Sequence, residues 1–159
     1  MATIEQSIEA NAPLRAVYNQ WTQFEDFPRF MDGVKEVTQL DDKRLHWRAV
    51  IGGKEKEWDA EIVEQRPDER IAWTSRNGPW NAGVVTFHRL DDSRTKVMLQ
   101  IDYEPRGVVE NVADALGVVS ARVKGDLERF TEFIERRGRE TGAWRGRIEH
   151  GEVKERKAS

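Results

Sequence analysis

From Gly33 to Glu104 the chain reads as short alternating segments separated by turn signals, and from about Val108 to about Arg137 it runs without a proline. The first stretch has the form of an antiparallel meander. The second is a long amphipathic helix. Val109, Val112, Leu116, Val119, Val123, Leu127, Phe130 and Ile134 make one apolar stripe, and Glu110, Asp114, Arg122, Asp126, Glu128 and Arg129 fall mainly off it. At about 1.5 Å per residue such a helix spans about 45 Å, enough to cover a sheet from end to end. A sheet with one apolar face and a helix with one apolar stripe need each other, which restricts the chain to an α+β architecture.

The turns can be read individually. LDDKR at 40–44 and LDDSR at 90–94 are near copies, RPDER and RNGPW separate further strands, and IGGK at 51–54 is a two-glycine hairpin. A two-residue loop fixes register, so Ile51 faces Lys54, Trp47 falls opposite Trp58, Arg48 opposite Glu57 and His46 opposite Asp59. One face therefore carries an aromatic pair and the other carries opposed charges. Ile71, Trp73 and Ser75, then Gly83, Val85 and Phe87, then Val97, Leu99, Ile101 and Tyr103 extend the apolar side. Arg48 is assigned to the outer face, in an ion pair with Glu57.

Ahead of the meander, TIEQSIEA alternates as a strand, and Leu14, Val17, Tyr18 and Trp21 recur at helical spacing behind Pro13, with Asn11 as the expected cap. WTQFEDFPRFMDGVKEV then sets Trp21, Phe24, Phe27 and Phe30 three residues apart around Pro28, which ends or bends a second short helix. The end of the chain, GRETGAWRGRIEHGEVKERKAS, is charged and rich in glycine, with Trp144 and Ile148 as its large anchors. Residues 141–149 are expected to dock as an extended segment, on the domain or on a neighbouring copy in a homodimer, with Trp144 as the anchor.

Composition narrows the functional classes. No cysteine is present, which removes disulfides and thiolate chemistry and fits a reducing, cytoplasmic setting. A net charge of -3 lacks the basic footprint of nucleic-acid binding, and no run approaches the length of a membrane span. His46, His88 and His150 lie far apart and show no metal-ligand spacing; Asp41, Asp42, Asp91 and Asp92 sit in turns, where aspartate bonds to backbone. No metal or cofactor is expected, and no catalytic residue is assigned.

The phrases YNQWTQFEDFPRFMDGVKEV (18–37), WDAEIVEQRPDERIAW (58–73), GVVTFHRL (83–90) and VKGDLERFTEFIE (123–135) resemble the START and polyketide cyclase/dehydrase superfamily, nearest in pattern to its coenzyme Q-binding and polyketide cyclase branch. The resemblance covers about residues 3 to 137. It implies a helix-grip fold: a curved seven-stranded antiparallel sheet wrapped around the long C-terminal helix, with two short helices between strands 1 and 2. It also implies a ligand-binding domain over 1–138 followed by a charged tail over 139–159. A cavity is expected between sheet and helix, entered near the short helices, with Phe24, Phe27, Phe30 and Met31 at one rim. Its expected contact residues are Phe27 and Met31; Trp47, Trp58, Trp73, Ser75 and Asn81; Phe87, Leu99 and Tyr103; and Val112, Leu116 and Val119. Three functions follow in order: carrying or sensing a hydrophobic polyketide-, lipid- or quinone-like molecule, acting as a polyketide aromatase/cyclase or dehydratase, or serving as an interaction module with a vestigial cavity.

Overall fold

The inward rows of side chains predicted from the Gly52–Gly53 turn recur across the observed sheet. The computed structural model describes residues 2–51, 53–78, 80–103 and 112–154, with side chains for all but 51 and 112–118. The strands are β1 (Ala2–Ala10), β2 (Val34–Gln39), β3 (Arg44–Ile51), β4 (Lys54–Arg66), β5 (Arg70–Ser75), β6 (Asn81–Asp91) and β7 (Arg94–Tyr103). They form one curved antiparallel sheet in the order β1-β7-β6-β5-β4-β3-β2. Between β1 and β2 stand helix α1 (Leu14–Trp21) and a 3-10 helix (Phe24–Arg29), and α2 (Val112–Arg137) follows β7. The expected first helical residues, 108–111, lie outside the described residues.

The register is as the hairpin requires: Trp47 opposes Trp58, Arg48 opposes Glu57 and His46 opposes Asp59. Continuing across the sheet, Ile71 opposes Val85 and Val85 opposes Leu99, while Trp73 opposes Gly83 and Gly83 opposes Ile101. Strict alternation fails at one point in β4. A bulge between Ile62 and Glu64 shifts the inward positions from Ala60 and Ile62 to Gln65. Without it Glu64 and Arg66 would enter the core.

Three local expectations are corrected. Asn11 does not cap α1, whose N-cap is Pro13; the Asn11 backbone N–H instead donates to Glu135 Oε2 at 2.7 Å, tying the chain to α2. Arg48 does not pair with Glu57. His46 takes Glu57 at 2.9 Å as well as Asp59 at 2.6 Å, and Arg48 turns to Glu55 at 3.3 Å and Glu36 at 3.8 Å. The sheet also has two strands more than the seven expected, because β8 (Ile148–Glu149) adds to β4 through Gln65 and pairs with β9 (Glu152–Val153).

The twin turns share their chemistry. Asp41 Oδ1 accepts from the backbone N–H groups of Lys43 and Arg44, and Asp91 Oδ1 accepts from that of Ser93. In each, the arginine three residues on donates through Nε to the other carboxylate oxygen at 2.7 Å. The Arg94 guanidinium and the Ser93 N–H together hold the Asp91 carboxyl down at about 2.

Two predictions arise on the outer face. Arg48→Ala should cost less than about 1 kcal/mol and leave any ligand affinity unchanged, since exposed ion pairs contribute little. Urea unfolding beside a binding titration checks it. The His46 imidazole is raised above its ordinary value by its hydrogen bonds to Asp59 and Glu57. Its contribution to stability is therefore present below the unfolded value of about 6.5 and is lost as pH rises through the higher folded value. An NMR titration placing His46 at or below 6.5 would refute this.

Candidate functional site

Between the sheet and α2 lies a cavity of about 170 Å³ whose walls come from three parts of the chain. The entry helices and the loop after them supply Trp21, Phe24, Phe27 and Met31; the sheet supplies Leu45, Trp47, Trp58, Ala60, Ile62, Ile71, Trp73, Asn81, Leu99 and Ile101; α2 supplies Val123, Asp126 and Leu127. Trp47 and Trp58 lie parallel with centroids 6.0 Å apart, a consequence of their being directly opposed on one face. Trp73 lies flat because residue 83 has no side chain. A Cβ there would sit 2.4 Å from Trp73 Cζ2 and 2.8 Å from Gln100 O. Trp73 Nε1 donates to Asn81 Oδ1 at 3.2 Å.

The aromatics around Pro28 bridge sheet and helix. Phe27 contacts Trp47 across 5.8 Å, and Trp21 contacts Phe130 of α2 across 4.9 Å. Phe27 meets both Trp21 and Phe24 edge to face, the geometry ring quadrupoles favour. Phe30 is not at the rim; it packs against Phe130 and Phe133 on α2.

Of the expected contact residues, Phe27, Met31, Trp47, Trp58, Trp73, Asn81 and Leu99 stand on this wall, and Ser75, Phe87, Tyr103 and Val119 do not. Ser75 is turned to its own turn, where its Oγ accepts from Asn81 N–H at 3.0 Å. Phe87 lies deeper, against Tyr18 and Trp21, because α1 crosses the sheet there. Tyr103, opposite Asn81 at the end of its strand, is half-buried, and burial raises its hydroxyl above the ordinary value. Val119 packs on the core beside the cavity. The side chains of Val112 and Leu116 lie outside the described residues.

The wall also holds Leu45, Ala60, Ile62, Ile71, Ile101, Val123 and Leu127, which are not among the expected contacts, and one charged residue that sequence reasoning missed, Asp126. Its carboxyl is on the cavity wall, 13% exposed, with Oδ1 accepting from Asp32 N–H at 3.0 Å and from the Arg129 guanidinium. Burial raises this carboxyl above its ordinary value against the opposing pull of Arg129, the Asp32 N–H and Arg122. Arg129 also donates through Nε to Phe30 O at 2.9 Å, and Arg122 donates to Val50 O at 3.1 Å. Spaced four and three residues apart, the three polar residues share one side of α2, where Asp126 and Arg129 hold the loop at Asp32 and Phe30 and Arg122 holds β3 at Val50. The signal in the sequence is that spacing, at the margin of the apolar stripe.

The C-terminal segment covers the other side of α1. Asn19, Gln20 and Thr22 are buried polar residues, and each is met by this segment. Asn19 donates to Glu140 and accepts from Arg145; Gln20 Oε1 accepts from Thr141 N–H at 2.9 Å; Thr22 Oγ1 accepts from Trp144 N–H at 3.0 Å. Arg145 lies over the Tyr18 ring, 5.4 Å from its centroid, and pairs with Asp68 at 2.7 Å. The Tyr18 hydroxyl accepts from Gln65 at 3.0 Å, and burial raises it far above the ordinary phenol range. Ile148 goes deepest, with no exposed surface, whereas Trp144 is only partly covered.

Among the described residues no group of three or more histidine, cysteine, aspartate or glutamate side chains could hold a metal ion, and no helix is long and apolar enough to cross a membrane. Comparison with known proteins agrees with the fold. An uncharacterised 17.2 kDa protein from the melC2-rnhH intergenic region of Streptomyces lincolnensis is 57% identical over 149 residues, 93% of this chain and 99% of that one. The Zhui aromatase/cyclase of Streptomyces sp. R1128 superposes with a TM-score of 0.72 at 18% identity, covering 89% of this chain and 98% of its own. A START superfamily protein from Mycobacterium smegmatis gives 0.68 at 15% identity, covering 85% and 95%. At those identities the two structures establish the helix-grip fold alone. The sequence profile reaches further, because it matches residues 10–132, from the end of β1 into the last turns of α2. The chain belongs to the polyketide cyclase/dehydrase and lipid transport family.

Proposed function

We propose that this chain carries or senses a hydrophobic small molecule in the cytoplasm, holding it in the cavity between the sheet and α2. The observation that carries the reading is the wall itself: four tryptophans, two phenylalanines and several aliphatic side chains surround open space, with Asn81 and Asp126 as its polar members among the described residues. Ligand sites are mostly apolar with a few placed polar groups, which this wall reproduces. Polyketide-, lipid- and quinone-like rings are the classes that flat indole walls accept.

A second reading, a polyketide aromatase/cyclase or dehydratase, gains support from Asp126. A half-desolvated carboxyl with a raised pKa is the kind of group that moves protons. The volume weighs against it. Drug-sized pockets run from roughly 300 Å³ upward, so the observed 170 Å³ would have to enlarge around a folded polyketide chain. The open space between sheet and α2 favours the carrier reading over an interaction module with a vestigial cavity.

Native mass spectrometry of the protein purified from its own host tests the proposal. The expected result is a retained small molecule of low polarity that is released on unfolding. Protein that is consistently empty, and that fails to take up any apolar probe, would sink it.

A further inference from the structure

Asp126 differs from every other carboxylate in the ion pairs described above in that it sits on the cavity wall with its two oxygens in unequal situations. Oδ1 takes both the Asp32 N–H and the Arg129 guanidinium. Oδ2 has no hydrogen-bond partner among the described residues, and it is not sealed away from a probe molecule. On the facing wall Asn81 Oδ1 is already engaged by the Trp73 indole N–H. Among the described residues the cavity therefore offers the Asp126 Oδ2 as an oriented acceptor against a mostly apolar background.

We propose that Asp126 sets the specificity of this cavity, accepting through Oδ2 a hydrogen bond from a neutral O–H or N–H donor on a ligand about the size of one substituted ring. The inference rests on the cavity reading given above and narrows it. Size comes from volume: an apolar cavity of about 150 Å³ holds one benzene molecule, and this one measures about 170 Å³. Donor character comes from the unpaired oxygen. Neutrality comes from charge balance. Arg129 already pairs with this carboxylate and Arg122 lies near it, so an ammonium ligand would be an uncompensated cation in an apolar space. Asp126 would act as a binding residue here, with Arg129 and the Asp32 N–H as the groups that position it.

The experiment uses the full chain with phenol, toluene and benzylamine as probes, read by tryptophan fluorescence and by amide chemical shifts. An apolar pocket without a partner for the hydroxyl favours toluene, because burying an unpaired O–H is costly. The expected result is the reverse, with phenol tighter than toluene by about ten-fold, the size of a hydrogen bond to a charged acceptor. In Asp126→Asn the side-chain oxygen should stay with Asp32 and Arg129, leaving the amide N–H₂ where Oδ2 was. That variant should lose the preference for phenol, keep its toluene affinity and gain for benzaldehyde, an acceptor of similar size. A merely structural role for Asp126 would not produce that inversion. The wild-type ranking alone decides the matter if the variant folds poorly. Toluene binding as tightly as phenol, or benzylamine binding more tightly, overturns the inference while leaving the cavity reading intact. Failure of all probes to bind overturns both.

Discussion

Gly83→Ala is expected to lower stability by about 1–3 kcal/mol, the usual range for forcing extra volume into a packed interior, and to close part of the cavity at the same time. The two effects have one cause. The new methyl would meet the Trp73 ring at 2.4 and 2.6 Å and the backbone oxygen of Gln100 at 2.8 Å. The carbonyl belongs to the neighbouring strand and cannot retreat without breaking the β6–β7 ladder, so the indole must lift. Its free side is the cavity. Lifting it also breaks the Nε1 bond to Asn81. Residue 83 does not use a left-handed backbone conformation, so the cost reflects crowding, and the share of it that comes from the ring should be relieved by removing the ring. The double variant Gly83→Ala/Trp73→Ala is expected to be more stable than the sum of its single changes predicts, a coupling that neighbouring residues show and distant ones do not. Urea unfolding of the four proteins, with phenol or toluene titrations beside it, gives both readings. Additive stability changes with unaltered probe binding would mean that Trp73 does not rest on residue 83.

That glycine shows how far sequence reasoning reaches. Alternation puts Gly83 on the inward face, and its opposition to Trp73 follows from strand pairing. The side-chain periods of strands and the two-residue turn at 52–53 are local rules, and local rules made the β3–β4 register and the three-tryptophan wall legible. The β4 bulge was not legible. One extra residue in a run such as EIVEQR leaves no composition signal, yet it decides that Gln65 faces inward and meets Tyr18. Asp126 was hidden for a related reason. On a helix the boundary between stripe and flank is a matter of angle, and a carboxylate at the margin reads as solvated unless the partners that hold it are known. Those partners are the Asp32 N–H, 94 residues away, and Arg129, itself fixed by its bond to Phe30 O in the same distant segment. The same holds for Asn19, Gln20 and Thr22, whose polarity suggests an exposed helix face until the chain's own end is laid over them.

Ile148→Ala should cost about 2–5 kcal/mol, the range for truncating a fully buried aliphatic side chain, unless the segment carrying it detaches first. That condition makes the variant informative. Ile148 has no exposed surface, pairs with Gln65 at the β4 edge and belongs to the main core, yet it reaches that core through a short strand outside the seven-stranded sheet. If residues 140–153 are bound by less than the cost of the truncation, the variant will release them, and the measured loss will equal their docking free energy. Release would uncover Asn19, Gln20 and Thr22 on α1, the helix that carries Trp21 into the cavity wall. It would also strip Arg145 from Tyr18 and Asp68. Amide exchange separates the cases. Fast exchange at Gly142 to Arg147 with the sheet still protected means local release, and uniform acceleration through the sheet means that the core itself has been weakened. In the first case the amides of Val17 to Trp21 should exchange faster too, because the helix has lost its cover. A loss below about 1 kcal/mol with unchanged exchange would show that the polar contacts of Thr141 and Arg145, each worth about that much or more, hold the segment without help from Ile148.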